Sequence, residues 1–502
     1  HSGVINKVMT VIRPNSISGV SSITTSGGDL SLFRSDGTTS DIILNNVTSG
    51  IITATTFKGA VEGNVTGSGA NLTSIPAGQL TGTVADARLS TVSSSKLSGA
   101  LPALDGSALT GVGVGTADSI NTSGIITATA FVSNQGALSN RNKIINGDFT
   151  IHQRGGTIAS STGNYTIDRW RTFRSGDSSG GFSVQQSLAS YPQTNIAGVI
   201  DNFKSSAFIT VTSAGSAAAN NNCKFQQRIE GSNVYDLAFG TAVAKKVTVS
   251  FYVKCSLTGN FGISLVNGAH NRSNVQTYTI NNATTWERKV VTFDGDTSGS
   301  WEYGTGTGLQ LMFDMGSGSD KHTSSTGTWV SGEKHGTPSS VKLIHTNGAT
   351  IQFAGVQLEA GEVATPFEFR NRADELQRCQ RYYYLHHNDA ANGGTSGNYR
   401  VACLGFVSGS NEVTGHIFFP VTMRANPSID HNYGVVGGIG YWRLGGGSLG
   451  GDKYVDGAWT VASSSTRCTR IYATPRVSLS GGVAGYIDGR NSASYMAFNS
   501  EL

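Results

Sequence analysis

Charge is scarce in this sequence of 502 residues: Asp, Glu, Lys and Arg supply only 14% of it, and 36 basic against 32 acidic side chains leave a formal net charge of +4. No run of basic residues occurs, which removes the electrostatic footprint expected of a nucleic-acid or anionic-lipid binder. No apolar stretch approaches the roughly 20 residues that would cross a bilayer, and the amino end lacks a charged-then-apolar secretory pattern, so no membrane insertion is expected. The chain begins at His1 rather than Met, which leaves open an upstream segment where an anchor could lie. Proline is rare, at 9 residues. Cysteine is rarer: Cys223, Cys255, Cys379, Cys403 and Cys468 are odd in number and form no CxxC pair. Complete pairing within one chain is impossible and zinc-ligand spacing is missing, so these thiols read as small buried apolar side chains of a protein assembled in a reducing cytosol. What is plentiful is Gly, at 66, together with Ser, Thr, Asn and a core-forming supply of 21 Phe, 16 Tyr and 6 Trp. That composition fits turn-rich β-structure in two or three folded units rather than helix or disorder.

A composition break falls near residue 139. All Trp, Tyr and Cys lie after it, and the segment before it has only Phe33, Phe57 and Phe131 as aromatics, with 6 basic and 7 acidic residues. Such a segment cannot build a globular core alone. It carries a repeat instead: Thr48 to Phe57 (TSGIITATTF) recurs as Thr122 to Phe131 (TSGIITATAF), identical at nine of ten positions with an offset of 74. A shorter beat lies between them at Gln79 to Gly82, Lys96 to Gly99 and Ala108 to Gly111. Repeats that cannot bury their apolar face singly must stack or oligomerise. Residues 1–139 are thus expected to form a repetitive fibrous β shaft, β-helix-like, in which three chains pool their Ile, Val, Leu and Phe side chains and Gly permits close approach near the axis.

The two GIITAT-x-F elements, Gly63 to Gly67 (GNVTG) and Leu104 to Gly111 (LDGSALTG) resemble the shafts of tail fibres of bacterial viruses, particularly those of marine cyanophages. Asn140 to Gly155 (NRNKIINGDFTIHQRG), read as a strand leading into a turn and continued by Asp168, Arg169 and Trp170, resembles the opening of the jelly-roll domain of many phage tail proteins. The phrase Glu375 to Tyr383 (ELQRCQRYY), preceded by Gln357 to Gly361 and Ala364 to Phe367, resembles the end of that jelly roll; Phe418 to Pro427 (FFPVTMRANP) resembles a tip-domain signature of the same proteins. The resemblance implies a homotrimeric tail fibre located in the virion and assembled in the host cytoplasm, docked to tail or baseplate proteins. It also implies host attachment through a surface glycan and a jelly roll like that of carbohydrate-binding modules.

The residues support an all-β reading independently. In Lys246 to Lys254 the alternation puts Val247, Val249, Phe251 and Val253 on one face, a half-buried strand. Further strands are expected at Phe261 to Val266, Val275 to Ile280, Trp286 to Phe293, Leu309 to Phe313 and Ile351 to Leu358, making a β-sandwich over residues 140–370. In the last strand Ile351 and Phe353 are out of phase with Val356 and Leu358, which predicts a bulge near Ala354 and Gly355. Residues 371–386 read as one short connecting helix, capped by Asn371, with Asp374 placed to pair with Arg378 and with Leu376, Cys379 and Tyr383 on one stripe. Residues 387–502 form a β-rich carboxy-terminal tip, with strands at Val401 to Val407, Glu412 to Phe419 and Arg470 to Ala473.

Sugar rings stack on exposed aromatics, so Trp301 and Tyr303 in a Gly/Ser-rich stretch, and Tyr433, Tyr441, Trp442, Tyr454 and Trp459 in or beside Gly-rich tip loops, are the candidate receptor residues. The opposing reading for the tip set is sandwich core or a contact between chains. Trp170 and Trp286 begin strands and belong to the core.

No catalytic machinery is identified, and no cofactor or metal is expected. Gly446 to Gly450 has the G-x-S-x-G form of a hydrolase elbow without the helix that must follow it. His386 and His387 are adjacent and make a poor chelating pair on a strand. Glu230, Glu287, Asp294, Asp296, Glu302 and Asp314 could include a glycosidase pair, but their spacing selects none. The expected function is virion attachment without catalysis; the alternative is a fibre-borne polysaccharide depolymerase.

Overall fold

A computed structural model describes residues 140–159, 163–176, 180–188, 203–216, 218–388, 400–409, 411–436, 439–446, 451, 453–489 and 494–502. The shaft expected over 1–139 lies outside them, as does most of the Gly446 to Gly450 motif.

The described chain is almost entirely antiparallel β-structure with one α-helix. Twelve strands form a β-sandwich: β1 Thr157–Ala159, β2 Trp170–Ser175, β3 Gly181–Leu188, β4 Ser205–Ser213, β5 Asn222–Glu230, β6 Val247–Cys255, β7 Gly259–Asn267, β8 Arg272–Ile280, β9 Glu287–Phe293, β10 Thr307–Asp314, β11 Trp329–Ser331 and β12 Thr350–Ala360. One sheet runs β1-β3-β4-β12-β6-β9 and the other β11-β8-β7-β10-β5-β2. Strands expected from alternation fall where expected, and Val247, Val249, Phe251 and Val253 are wholly buried between the sheets. Aromatic rings fill the interlayer: Trp170 stacks on Phe225 at 4.9 Å, Phe225 on Phe353 at 5.8 Å, and Phe313 lies 4.4 Å from Phe353 and 5.1 Å from Phe251. Such pairs add packing and quadrupole terms beyond area burial.

The bulge in β12 is present, with the register to β6 slipping between Ala354 and Gln357. Gly355 supplies it at φ +56°, and a Cβ there would sit 2.1 Å from the Phe203 ring. The extra residue turns Val356 and Leu358 back into the core.

Residues 140–156 contain no strand, contrary to expectation. The segment is an irregular plug organised by Asn146, whose Nδ2 donates to Ile151 O (2.8 Å) and Asp168 O (2.9 Å) while its Oδ1 accepts from Ile151 N (2.9 Å). Trp170 Nε1 donates to Asn146 O at 2.9 Å. A side chain thus satisfies the backbone groups that a ladder would otherwise have paired. Gly147 lets the plug meet β12, since a Cβ there would be 2.1 Å from Val356 O.

The helix α1 spans Arg372–Gln380, capped by Asn371 Oδ1 accepting from Ala373 N at 2.9 Å. It is shorter than the 371–386 expected from sequence: Tyr383 belongs to the next strand, because Tyr382 to Leu385 pair with the chain's last strand rather than continue the turn. Arg378 donates to Asn140 Oδ1 at 2.9 Å.

Beyond the helix follow β13 Tyr383–Asn388, β14 Arg400–Ser408, β15 Glu412–Phe418, β16 Ser428–His431, β17 Val435–Val436, β18 Ile439–Gly440, β19 Trp442–Gly445, β20 Lys453–Val455, β21 Thr460–Ser464, β22 Cys468–Ala473, β23 Ala484–Gly489 and β24 Tyr495–Asn499. They form a three-stranded sheet β13-β24-β16, a seven-stranded sheet β20-β19-β23-β14-β15-β22-β21 and the small pair β17-β18. Their own core gathers Val413, Ile417, Met423, Trp442, Leu444, Trp459, Ile471, Ile487 and Phe498. No helix among the described residues is long and apolar enough to cross a membrane.

Candidate functional site

The plug delivers Gln153 and Arg154 beside β13, and the turn before β2 delivers Asn164 and Tyr165 opposite them. With Tyr383, Leu385, Asn388, Asp430, Tyr495 and Asn499 from the three-stranded sheet they line a half-open pocket of about 610 Å3. Gln153 fastens the two sides: its Nε2 donates to Tyr383 O (2.8 Å) and Asp168 Oδ1 (2.7 Å), and its Oε1 accepts from Leu385 N (3.2 Å). The Arg154 guanidinium lies 3.7 Å from the Tyr383 ring centroid and 5.5 Å from that of Tyr165, a cation held over aromatic faces and anchored by Glu501 at 3.2 Å. Tyr165 Oη donates to Leu502 O at 2.7 Å, and Tyr495 Oη donates to Asp430 Oδ1 at 3.0 Å.

Burial, and then the neighbouring Asp430 carboxylate, push the Tyr495 phenol up to about 12; burial likewise raises Tyr383 and Tyr165. All three phenols therefore stay protonated at neutral pH and present apolar ring faces, with the hydroxyl protons of Tyr165 and Tyr495 already committed to Leu502 O and Asp430. Three phenols, three asparagine amides, one carboxylate and a guanidinium suit a hydroxylated ring with alternating apolar and polar surfaces. Among the described residues lining the pocket Asp430 is the single carboxylate, so the two-carboxylate arrangement of glycoside cleavage is not assembled there.

A second cavity, of about 630 Å3, opens on the outer face of the seven-stranded sheet and is mostly apolar, lined by His386, Cys403, Leu404, Phe406, His416 and Phe418 among others. Leu404 and Phe418 are 79% and 76% exposed there.

The seven aromatics expected to bind receptor do not form one exposed site. Trp442 and Trp459 are core, edge to face at 6.1 Å and 0% and 2% exposed, so for these two the sandwich-core reading holds in place of the loop reading. Tyr441 packs half-buried against the same core. Trp301 stands edge-on to Phe239 (4.9 Å) and Trp329 (5.4 Å), and Tyr303, though 43% exposed, ties its hydroxyl to Phe239 O. Tyr454 lies under Arg476 at 5.1 Å, while Tyr433 remains exposed beside His431. Sequence pattern does not single out the pocket tyrosines, because Tyr383 sits in a run that reads as helical and Tyr165 and Tyr495 share no motif with it.

The carboxylates considered for catalysis are engaged elsewhere. Glu230 pairs with Arg381 at 2.6 Å, Glu287 with Lys289 at 2.5 Å, Asp294 with Lys246 at 3.5 Å and Asp296 with Arg272 at 2.5 Å. Glu302 accepts from Gly304 N at 2.6 Å, and Asp314 is fully buried. His386 is spent on Ala402 O at 2.7 Å, and no cluster of three metal-ligating side chains occurs among the described residues.

No family model matches the chain, and no curated protein matches it. Solved structures similar to it in part include the enzymatically active domain of tailspike protein 4 of bacteriophage CBA120 (12% identity, TM-score 0.24, 44% of this chain and 21% of that one). Others are a family 4 carbohydrate-binding module (16%, 0.23, 43% and 98%) and the module TmCBM61 solved with β-1,4-galactotriose (10%, 0.21, 44% and 99%). The chain thus spans about a fifth of the tailspike's length and nearly all of each module's.

Proposed function

We propose that this chain is a tail fibre of a bacterial virus, located in the virion, which attaches the particle to a glycan on the host surface without catalysis. The observation that carries the reading is the pocket between the sandwich and the three-stranded sheet, where Tyr165, Tyr383 and Tyr495 meet Asn164, Asn388, Asn499 and Asp430. The shaft phrases and jelly-roll phrases of the sequence supply the viral part, including the likeness to cyanophage fibres. A homotrimer, docked to tail or baseplate proteins, would present three such pockets per fibre, and several fibres per particle give avidity from weak individual sites.

The test is competition. Saturating purified protein should block adsorption of virions to host cells, and the Asp430→Ala variant should block far less; adsorption unchanged by wild-type protein removes the proposal. The depolymerase alternative is checked in the same assay by measuring new reducing ends on host glycan, none being expected.

A further inference from the structure

Charge in the open pocket is unevenly balanced. On the side built by the plug, Arg154 is spent: Nη2 meets Glu501 Oε1 at 3.2 Å, Nη1 stands 3.7 Å from Asp168 Oδ1, and Arg169 pairs with the same Glu501. Asp168 is held as an acceptor by Gln153, whose N and Nε2 donate to it at 2.6 and 2.7 Å. Two guanidinium groups and two carboxylates thus cancel, and the Arg154 cation already lies over the Tyr383 ring at 3.7 Å and the Tyr165 ring at 5.5 Å. Near Tyr165, Arg171 Nε donates to Gly163 O and Arg228 Nη1 to Leu502 O, each at 2.9 Å, and neither side chain lines the pocket.

Asp430 on β16 has no such balance. It is exposed, lines the pocket, and accepts from Tyr495 Oη through Oδ1 at 3.0 Å. No cation pairs with it among the described residues. His431, next to it, points to the other face of the strand and accepts from Trp459 N at 2.8 Å through Nε2, so its ring is neutral and supplies no counter-charge. Tyr495 feels the same imbalance: burial and then Asp430 raise its phenol, and no cation offsets them. Its ring, unlike those of Tyr165 and Tyr383, has no cation over it among the described residues.

An unpaired carboxylate and a phenol ring side by side attract a ligand cation twice over, through a charge-assisted hydrogen bond and through the ring quadrupole. A hard metal ion would need several oxygen ligands of its own, and the pocket offers a single carboxylate. An ammonium group needs only one strong acceptor and tolerates an aromatic flank. An acidic sugar would bring a second carboxylate towards Asp430 with no uncommitted cation to receive it. The amides of Asn164, Asn388 and Asn499 line the same space and suit hydroxyl groups, which an amino sugar carries beside its ammonium and a lysine side chain does not.

On the proposal that this pocket holds glycan, we infer that the sugar it selects bears a free, protonated amino group, paired with Asp430 beside the Tyr495 ring. The ligand is then an unacetylated amino sugar, not a neutral, N-acetylated or acidic one.

Titration calorimetry of the full chain at about pH 6, where amines are charged, compares three trisaccharides: β-1,4-linked glucosamine, its N-acetylated counterpart and β-1,4-galactotriose. The glucosamine oligomer is expected to bind about tenfold more tightly than either of the others, and Asp430→Asn, which keeps the shape of the side chain, to remove that preference by weakening this oligomer alone. Raising salt from about 0.05 to about 0.5 M should weaken the same oligomer and leave the uncharged two unchanged, a readout that needs no variant. Glucosamine binding no tighter than the others, or a preference that survives Asp430→Asn, overturns the inference and leaves glycan attachment standing. A lysine-containing peptide that binds as tightly as the glucosamine oligomer also overturns it. If none of the three sugars binds, the inference falls, and competition of wild-type protein with virions decides separately whether glycan attachment falls with it.

Discussion

At the scale of the residue, Gly355 shows how far a local pattern reaches. The phase change between Ile351 with Phe353 and Val356 with Leu358 is visible in the sequence and is the register slip seen between β12 and β6. The reason only Gly serves is not visible there, since it depends on Phe203, about 150 residues away, whose ring occupies the place of a Cβ. Gly355→Ala would have to hold φ +56° and also displace that ring, so a loss of about 2 kcal/mol or more is expected, measured as a lower denaturant midpoint at unchanged slope. The tip tryptophans illustrate the opposite limit. Trp442 and Trp459 have Gly-rich neighbours in sequence, and burial is settled by strands that arrive from elsewhere, Val413 and Ile487 among them. Composition around a residue says little about which side of a sheet it faces, whereas alternation along Val247 to Val253 says nearly everything.

At the scale of the element, α1 and the turn after it join the two β-assemblies. The helix was legible from Asn371 and the acidic first turn, but its end was not, because Tyr383 to Asn388 take strand geometry only by pairing with β24. Just past the helix Arg381 reaches Glu230 at the end of β5 with contacts of 2.6 and 3.0 Å, and Tyr382 Oη donates to the same carboxylate at 2.7 Å. Burial pushes the Glu230 carboxyl up, but the hydrogen bonds from Arg381 and Tyr382 outweigh it and hold the group below the ordinary carboxylate range. A folded pKa below the unfolded one contributes stability that is complete above the unfolded value, about 4.3, and fades as pH falls through the folded value. Glu230→Gln should therefore cost about 2 kcal/mol at pH 7. The gap between variant and wild type should narrow steadily below about pH 4, read from denaturant titrations at each pH. A gap that widens on acidification would contradict the pairing.

At the scale of the whole molecule, the seven-stranded sheet has one face packed on its core and another carrying Leu404, Phe406 and Phe418 in the open. A row of large apolar side chains on a sheet face is a liability in a free monomer and a resource in an assembly, where burial contributes roughly 25 cal/mol for each Å2 of apolar surface removed from water. The aromatic-poor, repetitive residues 1–139, whose sequence alone predicts a shaft shared between chains, are proposed to assemble with other copies as well. On this proposal two parts of the chain assemble for different reasons, and the two can be separated. Light scattering of the full chain should give three times the 52.3 kDa of one chain. Leu404→Asp combined with Phe418→Asp places charge on the exposed sheet face without touching either core. If that face is a contact between copies, the double variant should melt at lower temperature and depend more steeply on protein concentration, while a trimer held by residues 1–139 persists. Deleting residues 1–139 from the same variant should then leave a monomer, whereas deleting them from wild type should leave a weaker trimer that dissociates on dilution. A full-length chain that scatters as a monomer would refute both assignments at once, because neither the shaft nor the sheet face could then be buried between copies.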